Sequence, residues 1–359
     1  ESIDLSQDSI ENIAGDMNFA IADDDDYLRF YPVAYRTEPG TYEVRGEVVD
    51  CQPCTGVCDD NASNVPNLVR NETGALVGVA SWNAYNFAGF WYDLEEGNMS
   101  EELVLLDGSG LTYNGEIKEN TLFYNTTVQY IEYEVSEEKN LTVENGLDLG
   151  GTKNGVKGSY ITGKPTATVN GGGYYGKIGW FAEEYVALNG APDKLVKQVL
   201  EQGDAPSDKK TLTIGETWDM GDGWTLEAQA IDAKAEPRQV WIVLKYNGVT
   251  LEDKVLQQGE CYTYFDDNLG GESDVPTFVT YVDSVFAGAT SDMVQLRYTW
   301  VTGRDVTEID GGDEFGALTV KSTANNKIVL WNEDESIDLS QDSIENIAGD
   351  MNFAIADDD

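Results

Sequence analysis

Apolar and polar residues alternate with a period of two along most of this chain, in short runs punctuated by Gly, Asn and Asp. Tyr42-Glu43-Val44-Arg45-Gly46-Glu47-Val48 sends successive side chains to opposite faces, as a half-buried strand does. Runs at 87–94, 103–106, 128–135 and 159–169 continue in that style, and a second series follows at 212–214, 224–230, 240–246, 278–286, 293–301 and 328–331. Gly171-Gly172-Gly173 and Asn189-Gly190 supply turns. Residues 192–203 alone suggest a helix: Pro192 stands near the start, Leu195, Val196, Val199 and Leu200 share one face, and Gly203 follows the end. Asp204 to Lys210 reads as a linker. The pattern predicts an all-β chain of two β-sandwich domains in series, the first over 34–190 and the second over 211–359, joined at 191–210 by a linker with one short helix.

Superimposed on this pattern is a repeat. Residues 1–25 recur without a change at 335–359, a register of 334 residues. A recent duplication or a cloning scar would leave such a trace, but Met17-Asn18-Phe19-Ala20-Ile21 alternates as a strand should, which favours a tandem array with a unit of about 334 residues. Tyr27, Leu28, Arg29, Phe30, Tyr31 and Pro32 extend the strand pattern beyond the leading copy.

Composition narrows the function classes. The chain has 359 residues, 41% of them hydrophobic, enough for real cores. Against 22 Lys and Arg stand 66 Asp and Glu, a net charge of −44 that repels nucleic-acid phosphates and anionic membranes. Histidine is absent, which removes imidazole bases, Ser-His-Asp and Cys-His machinery and haem ligation. Any enzyme here would rely on carboxylates, Tyr, Lys or Cys. No run of about 18 apolar residues marks a membrane span in this window. Gly 37, Tyr 19 and Trp 8 suit an extracellular β protein.

Several stretches carry a resemblance: residues 86–93 (NFAGFWYD), 177–186 (KIGWFAEEYV), 208–212 with Gly215-Glu216, 283–288 (DSVFAG) and Leu28 to Pro32. Over nearly its whole length the chain resembles the S-layer duplication domain of methanogenic archaea. The resemblance implies paired β-sandwiches on a linker, exported, glycosylated, acidic and assembled into a paracrystalline coat. It also implies an order in which the Leu-Arg-Phe-Tyr-Pro strand closes the second sandwich, so that the window is permuted. Residues 1–33 are then expected to supply closing strands to the second sandwich of a preceding unit, with Tyr27 to Pro32 as the assembly strand laddered onto its residues 211–331, while this chain's second sandwich awaits a following strand. The partner so implied is the protein itself, polymerised head to tail or as a lattice.

Candidate chemistry is sparse. Cys51, Cys54 and Cys58 share one loop and Cys261 stands apart; two disulfides or a zinc or iron–sulfur site fit the count, and an exported acidic β chain favours disulfides, with connectivity open. N-linked glycan sequons fall at Asn61, Asn71, Asn98, Asn125 and Asn140, all in the first half. Asp23, Asp24, Asp25 and Asp26, the pairs Asp59-Asp60 and Asp266-Asp267, and Asp310, Asp313 and Glu314 invite Ca²⁺, although none has EF-hand spacing and solvated turn carboxylates are the ordinary reading. No cofactor is required and no catalytic residue stands out. The sequence therefore predicts a structural, self-assembling cell-surface protein, as lattice, filament or sheath. The alternative is a secreted carbohydrate-binding module or glycoside hydrolase accessory domain, using Trp91, Tyr92, Trp218 and Trp224 as platforms.

Overall fold

The computed structural model describes residues 10–14, 17–20, 27–38, 41–51, 80–84, 90–93, 97–106, 115–149, 166–167, 172–288, 291–340, 343–349 and 351–354. Alternating burial follows alternating sequence. In Glu101–Leu105 and Leu122–Thr127 every second side chain turns inward and the intervening ones are half-exposed.

Two sheets face each other in the first sandwich. A six-stranded sheet runs in the order Glu314–Phe315, Leu318–Ser322, Lys327–Trp331, Leu122–Thr127, Glu101–Leu105, Ala80–Asn83. Opposite lies a seven-stranded sheet centred on Tyr174–Trp180 and Glu183–Ala187. Leu105, Leu122, Tyr124, Ile328 and Leu330 from the first meet Ile178, Trp180 and Leu195 from the second in one buried cluster. The second sandwich pairs a five-stranded sheet, built on Val275–Ala287 and Asp292–Thr302, with a four-stranded meander from Thr217–Gly221 to Val249–Gln257. Its core closes around Trp224, which is fully buried, faces Phe278 and donates its indole N–H to Thr302 O at 2.9 Å.

A third cluster joins the two. Tyr133, Tyr175, Val186 and Val196 of the first sandwich pack on Val279, Tyr298 and Trp300 of the second, and the Trp300 ring lies 5.0 Å from both Tyr133 and Tyr175. The middle sheets are thus buried on both faces, and residues 174–180 show it in a run with only Tyr174 half-exposed.

This double burial corrects the expected helix at 192–203. The segment forms the strands Lys194–Val196 and Gln198–Glu201. Leu195 points into the first core and its neighbour Val196 into the junction, so the apolar pairs Leu195-Val196 and Val199-Leu200, whose spacing mimics a helical face, belong to strands with neighbours on both sides. The α-helix among the described residues is Glu134–Lys139, with acidic residues in its first turn, Lys139 in its last and a left-handed Asn140 as cap. The expected division at 211 is corrected as well. Residues 314–331 ladder not onto 211–302 but onto the first sandwich, Ile328 opposite Thr126 and Leu330 opposite Tyr124. Alternation tells which face a strand buries but not which strand lies beside it.

Tyr27 to Pro32 pair within their own chain. Tyr27–Glu38 and Thr41–Cys51 form a hairpin, with Leu28 opposite Asp50, Phe30 opposite Val48 and Pro32 opposite Gly46. A connection of two residues makes this ladder cheap in loop entropy.

Trp224→Ala should cost about 3–5 kcal/mol, because it removes a packed ring and orphans a carbonyl acceptor together. Chemical denaturation measures it, and a loss below about 1 kcal/mol would mean the second core does not depend on this ring.

Candidate assembly site

The trailing copy of the repeat is a docked element. It starts at a hinge of hydrogen bonds on Asn332, a fully buried side chain. Asn332 Oδ1 accepts from Thr121 N at 3.1 Å and Leu122 N at 2.9 Å, while Nδ2 donates to Lys118 O at 2.8 Å and Glu335 O at 2.9 Å. One amide thus ties the end of the sheet to the first residue of the repeat. Ile337–Asp338 then pairs with Glu116–Ile117, and Leu339 N donates to Gly115 O at 2.9 Å.

Next comes the hairpin of Ile344–Ala348 and Met351–Ala354. Asn346 Nδ2 closes its turn by donating to Gly349 O at 2.8 Å. Ile347, Ala348 and Met351 are buried in the first core, whereas Ile344 faces out. Ala317 N donates to Ile347 O at 2.8 Å. The approach beside it requires glycine: Gly316 has φ +62°, and a Cβ there would stand 2.5 Å from Ile347 O. The Phe353 ring rests 5.7 Å from Trp82.

Beneath the hairpin lies a buried carboxylate. Glu101, 1% exposed, accepts from Trp91 N, Tyr124 Oη and Ala182 N, each at 2.8 Å. Phe181 N donates to Tyr124 Oη at 3.0 Å. These bonds hold the turn Phe181-Ala182, both residues at positive φ, which side chains adopt at a cost. A Cβ on Gly179 would meet Glu101 Oε2 at 2.5 Å, so only glycine lets the strand pass this close. The turn presents Phe181 to Phe315 at 5.5 Å and to Gly349 of the hairpin, where a Cβ would lie 3.3 Å from Phe181 Cβ. Burial pushes the Glu101 carboxyl above its ordinary pKa, and the three donated hydrogen bonds offset only part of the shift.

A second polar network bridges the sandwiches. Lys177 Nζ lies 3.1 Å from Glu201 and 3.5 Å from Glu184, Trp91 Nε1 donates to Glu184 at 2.8 Å, and Tyr175 Oη donates to Glu201 at 2.6 Å. Burial disfavours the Lys177 charge, but the two carboxylates outweigh it and hold its pKa above the usual lysine value. These contacts tie the elements of residues 86–93 and 177–186 to the strand Gln198–Glu201 of the other sandwich.

An S-layer protein family model matches residues 71–357. This chain belongs to the S-layer protein family. It is 30% identical over 364 residues to the Major S-layer protein of Methanosarcina barkeri, a match covering 99% of this chain and 44% of that protein. The corresponding proteins of Methanosarcina mazei and Methanosarcina acetivorans are 30% and 29% identical over 363 and 366 residues, with 44% and 45% of their lengths covered. The chain spans less than half the length of these S-layer relatives. The family match takes in most of the trailing copy and begins after Tyr27 to Pro32.

The other expected sites are scattered. Asn140 is exposed at the helix cap, Asn98 is half-buried before the bridge of Tyr92 to Met99, and Asn125 sits within the sheet opposite Val329 and Glu102; Asn61 and Asn71 lie outside the described residues. Cys261 carries a free thiol whose pKa burial pushes up to about 12, and Cys51 is described only in its strand opposite Tyr27; Cys54 and Cys58 lie outside the described residues. Among the described residues no three Asp, Glu or Cys side chains converge to hold a metal ion. Asp313 accepts from Asp310 N at 2.8 Å and braces an exposed turn that also carries Glu314. Asp23 to Asp26 lie outside the described residues. Trp91 and Trp224 are buried, and Trp218 is partly buried against the second core, so they form no open sugar platform.

The sequence reading missed Glu101 and Asn332, since one more Glu in an acidic chain and one more Asn near a turn carry no local mark. Asn332→Ala should cost about 2–4 kcal/mol through orphaned backbone groups and raise amide exchange across 335–354. Unchanged exchange there would show that the docking does not hang on this amide. For Glu101 the sign of the pH dependence is unusual. Its folded pKa is raised, so its stabilising contribution is present at low pH and is lost as pH climbs from the ordinary carboxylate range through the folded value. Relative to the parent, Glu101→Gln should lose about 1–3 kcal/mol, since its amide turns N–H toward donors, and should show a flatter fall in melting temperature across that window. Parallel pH profiles would refute this assignment.

Proposed function

We propose that this chain is a structural unit of an archaeal cell-surface coat, exported and self-assembling, with no catalytic step of its own. The observation that carries the proposal is the family match over residues 71–357, supported by relatives named Major S-layer protein. The architecture suits the task. Two sandwiches share a cross-packed junction, so a pull on one loads ladder hydrogen bonds and the junction aromatics of the other together. The surface charge, −44 over the sequence, gives a polyanionic face that disfavours nucleic acids and anionic solutes. Among the described residues no helix is long and apolar enough to cross a membrane. Glycans among Asn61, Asn71, Asn98, Asn125 and Asn140 belong to the proposal, as does a disulfide within the Cys51, Cys54 and Cys58 cluster, which leaves Cys261 as the free thiol.

Purified chain should assemble into ordered sheets or filaments visible by negative-stain electron microscopy. A protein that stays monodisperse and monomeric at high concentration, and is retained on polysaccharide columns, would overturn the coat reading in favour of a binding module.

A further inference from the structure

The two copies of the repeat fold alike. Ile10–Ala14 pairs with Met17–Ala20 in the register Ile10 to Ala20, Glu11 to Phe19, Asn12 to Asn18, Ala14 to Met17. In the trailing copy Ile344 faces Ala354, Glu345 faces Phe353, Asn346 faces Asn352 and Ala348 faces Met351, each shifted by 334, with the irregularity at the same place. The trailing hairpin is seated on the first core through Ala317, Gly316, Phe181 and Trp82.

An identical sequence in an identical register presents the same side chains, so Ile13, Ala14 and Met17 require the burial that Ile347, Ala348 and Met351 obtain. The groove of this chain is filled by the copy that starts three residues after Asn332, a tether giving it a large advantage in effective concentration. We propose that the leading hairpin is the closing hairpin of a second copy of this unit and docks in that copy's groove. Each groove then takes one hairpin, successive units are joined head to tail with a period of 334 residues, and the joint lies just before Tyr27. The relatives, of which the chain covers 44%, have room for a second such unit. The inference deepens the coat reading by naming the partner as another copy and the contact as this hairpin.

The test uses full-length variants. Ile347→Asp places a charge in the dry groove and ejects the trailing hairpin, leaving the leading hairpin of one molecule to fill the groove of another. At concentrations below those at which the parent assembles into sheets, sedimentation should show the Ile347→Asp chain shifted from the parent's monomer to dimers and larger species, and Ile13→Asp/Ile347→Asp should return it to monomer. A synthetic peptide of residues 1–25 should raise the melting temperature of the Ile347→Asp chain, and the same peptide with Ile13→Asp should bind at least ~10-fold more weakly. The peptide arm decides the matter if the single variant is poorly folded. Equal behaviour of the single and double variants together with no difference between peptides overturns the proposal, as does a folded monomeric Ile347→Asp chain that loses stability on adding Ile13→Asp, which is closure within one chain. Failure of the parent to form sheets while these variants behave as expected would count against the coat reading and leave the docking intact.

Discussion

The first sandwich depends on a negative charge kept out of water. Glu101 receives three donors at 2.8 Å from three separate places in the chain: the loop at Trp91, the core ring of Tyr124 and the turn at Ala182. An unpaired carboxylate in such a site costs several kcal/mol, so the donors must all arrive for the fold to close. Their arrival fixes the left-handed Phe181-Ala182 turn, and that turn shapes the wall against which Gly349 and the hairpin rest. A polar group thereby specifies where an apolar one docks.

The same logic runs outward through the layers. Lys177, two residues before Gly179 on Tyr174–Trp180, pairs with Glu184 and Glu201. The sheet carrying it is buried on both sides, so its charges have few solvent partners and their geometry ties one sandwich to the next. Around the bridge the rings of Tyr133, Tyr175 and Trp300 meet at 4.8–5.0 Å. Packed aromatic junctions of this kind change register only at a high cost in contact energy. In the proposed coat, where tension would pass between units, a stiff junction is of more use than a flexible linker. The Lys194–Val196 strand running straight into Gln198–Glu201 meets that need.

The motifs that carry the family resemblance acquire a physical meaning here. Residues 86–93 contribute Trp91, whose backbone N–H binds Glu101 and whose indole binds Glu184. Residues 177–186 contribute Lys177, Gly179, the Phe181-Ala182 turn and Glu184. As a string they read as plain core residues with a few acids; in space they are two halves of one polar centre.

The sequence by itself determined the fold class, the polyanionic surface, the absence of imidazole chemistry and the repeat, because each is a property of composition or of short-range pattern. Alternation at 122–127, 224–232 and 292–302 sets which side chains turn inward, and the structure keeps those faces. Tertiary structure alone decided partners. Lys327–Trp331 lies beside Leu122–Thr127, some two hundred residues away, and nothing in either strand names the other. Residues 192–203 became strands because neighbours arrived on both faces, and Tyr27 to Pro32 found the nearest strand. Glu101 and Asn332 were invisible for the same reason: a polar side chain acquires its role from donors and acceptors that long-range folding brings to it, and those are absent from its own stretch of sequence.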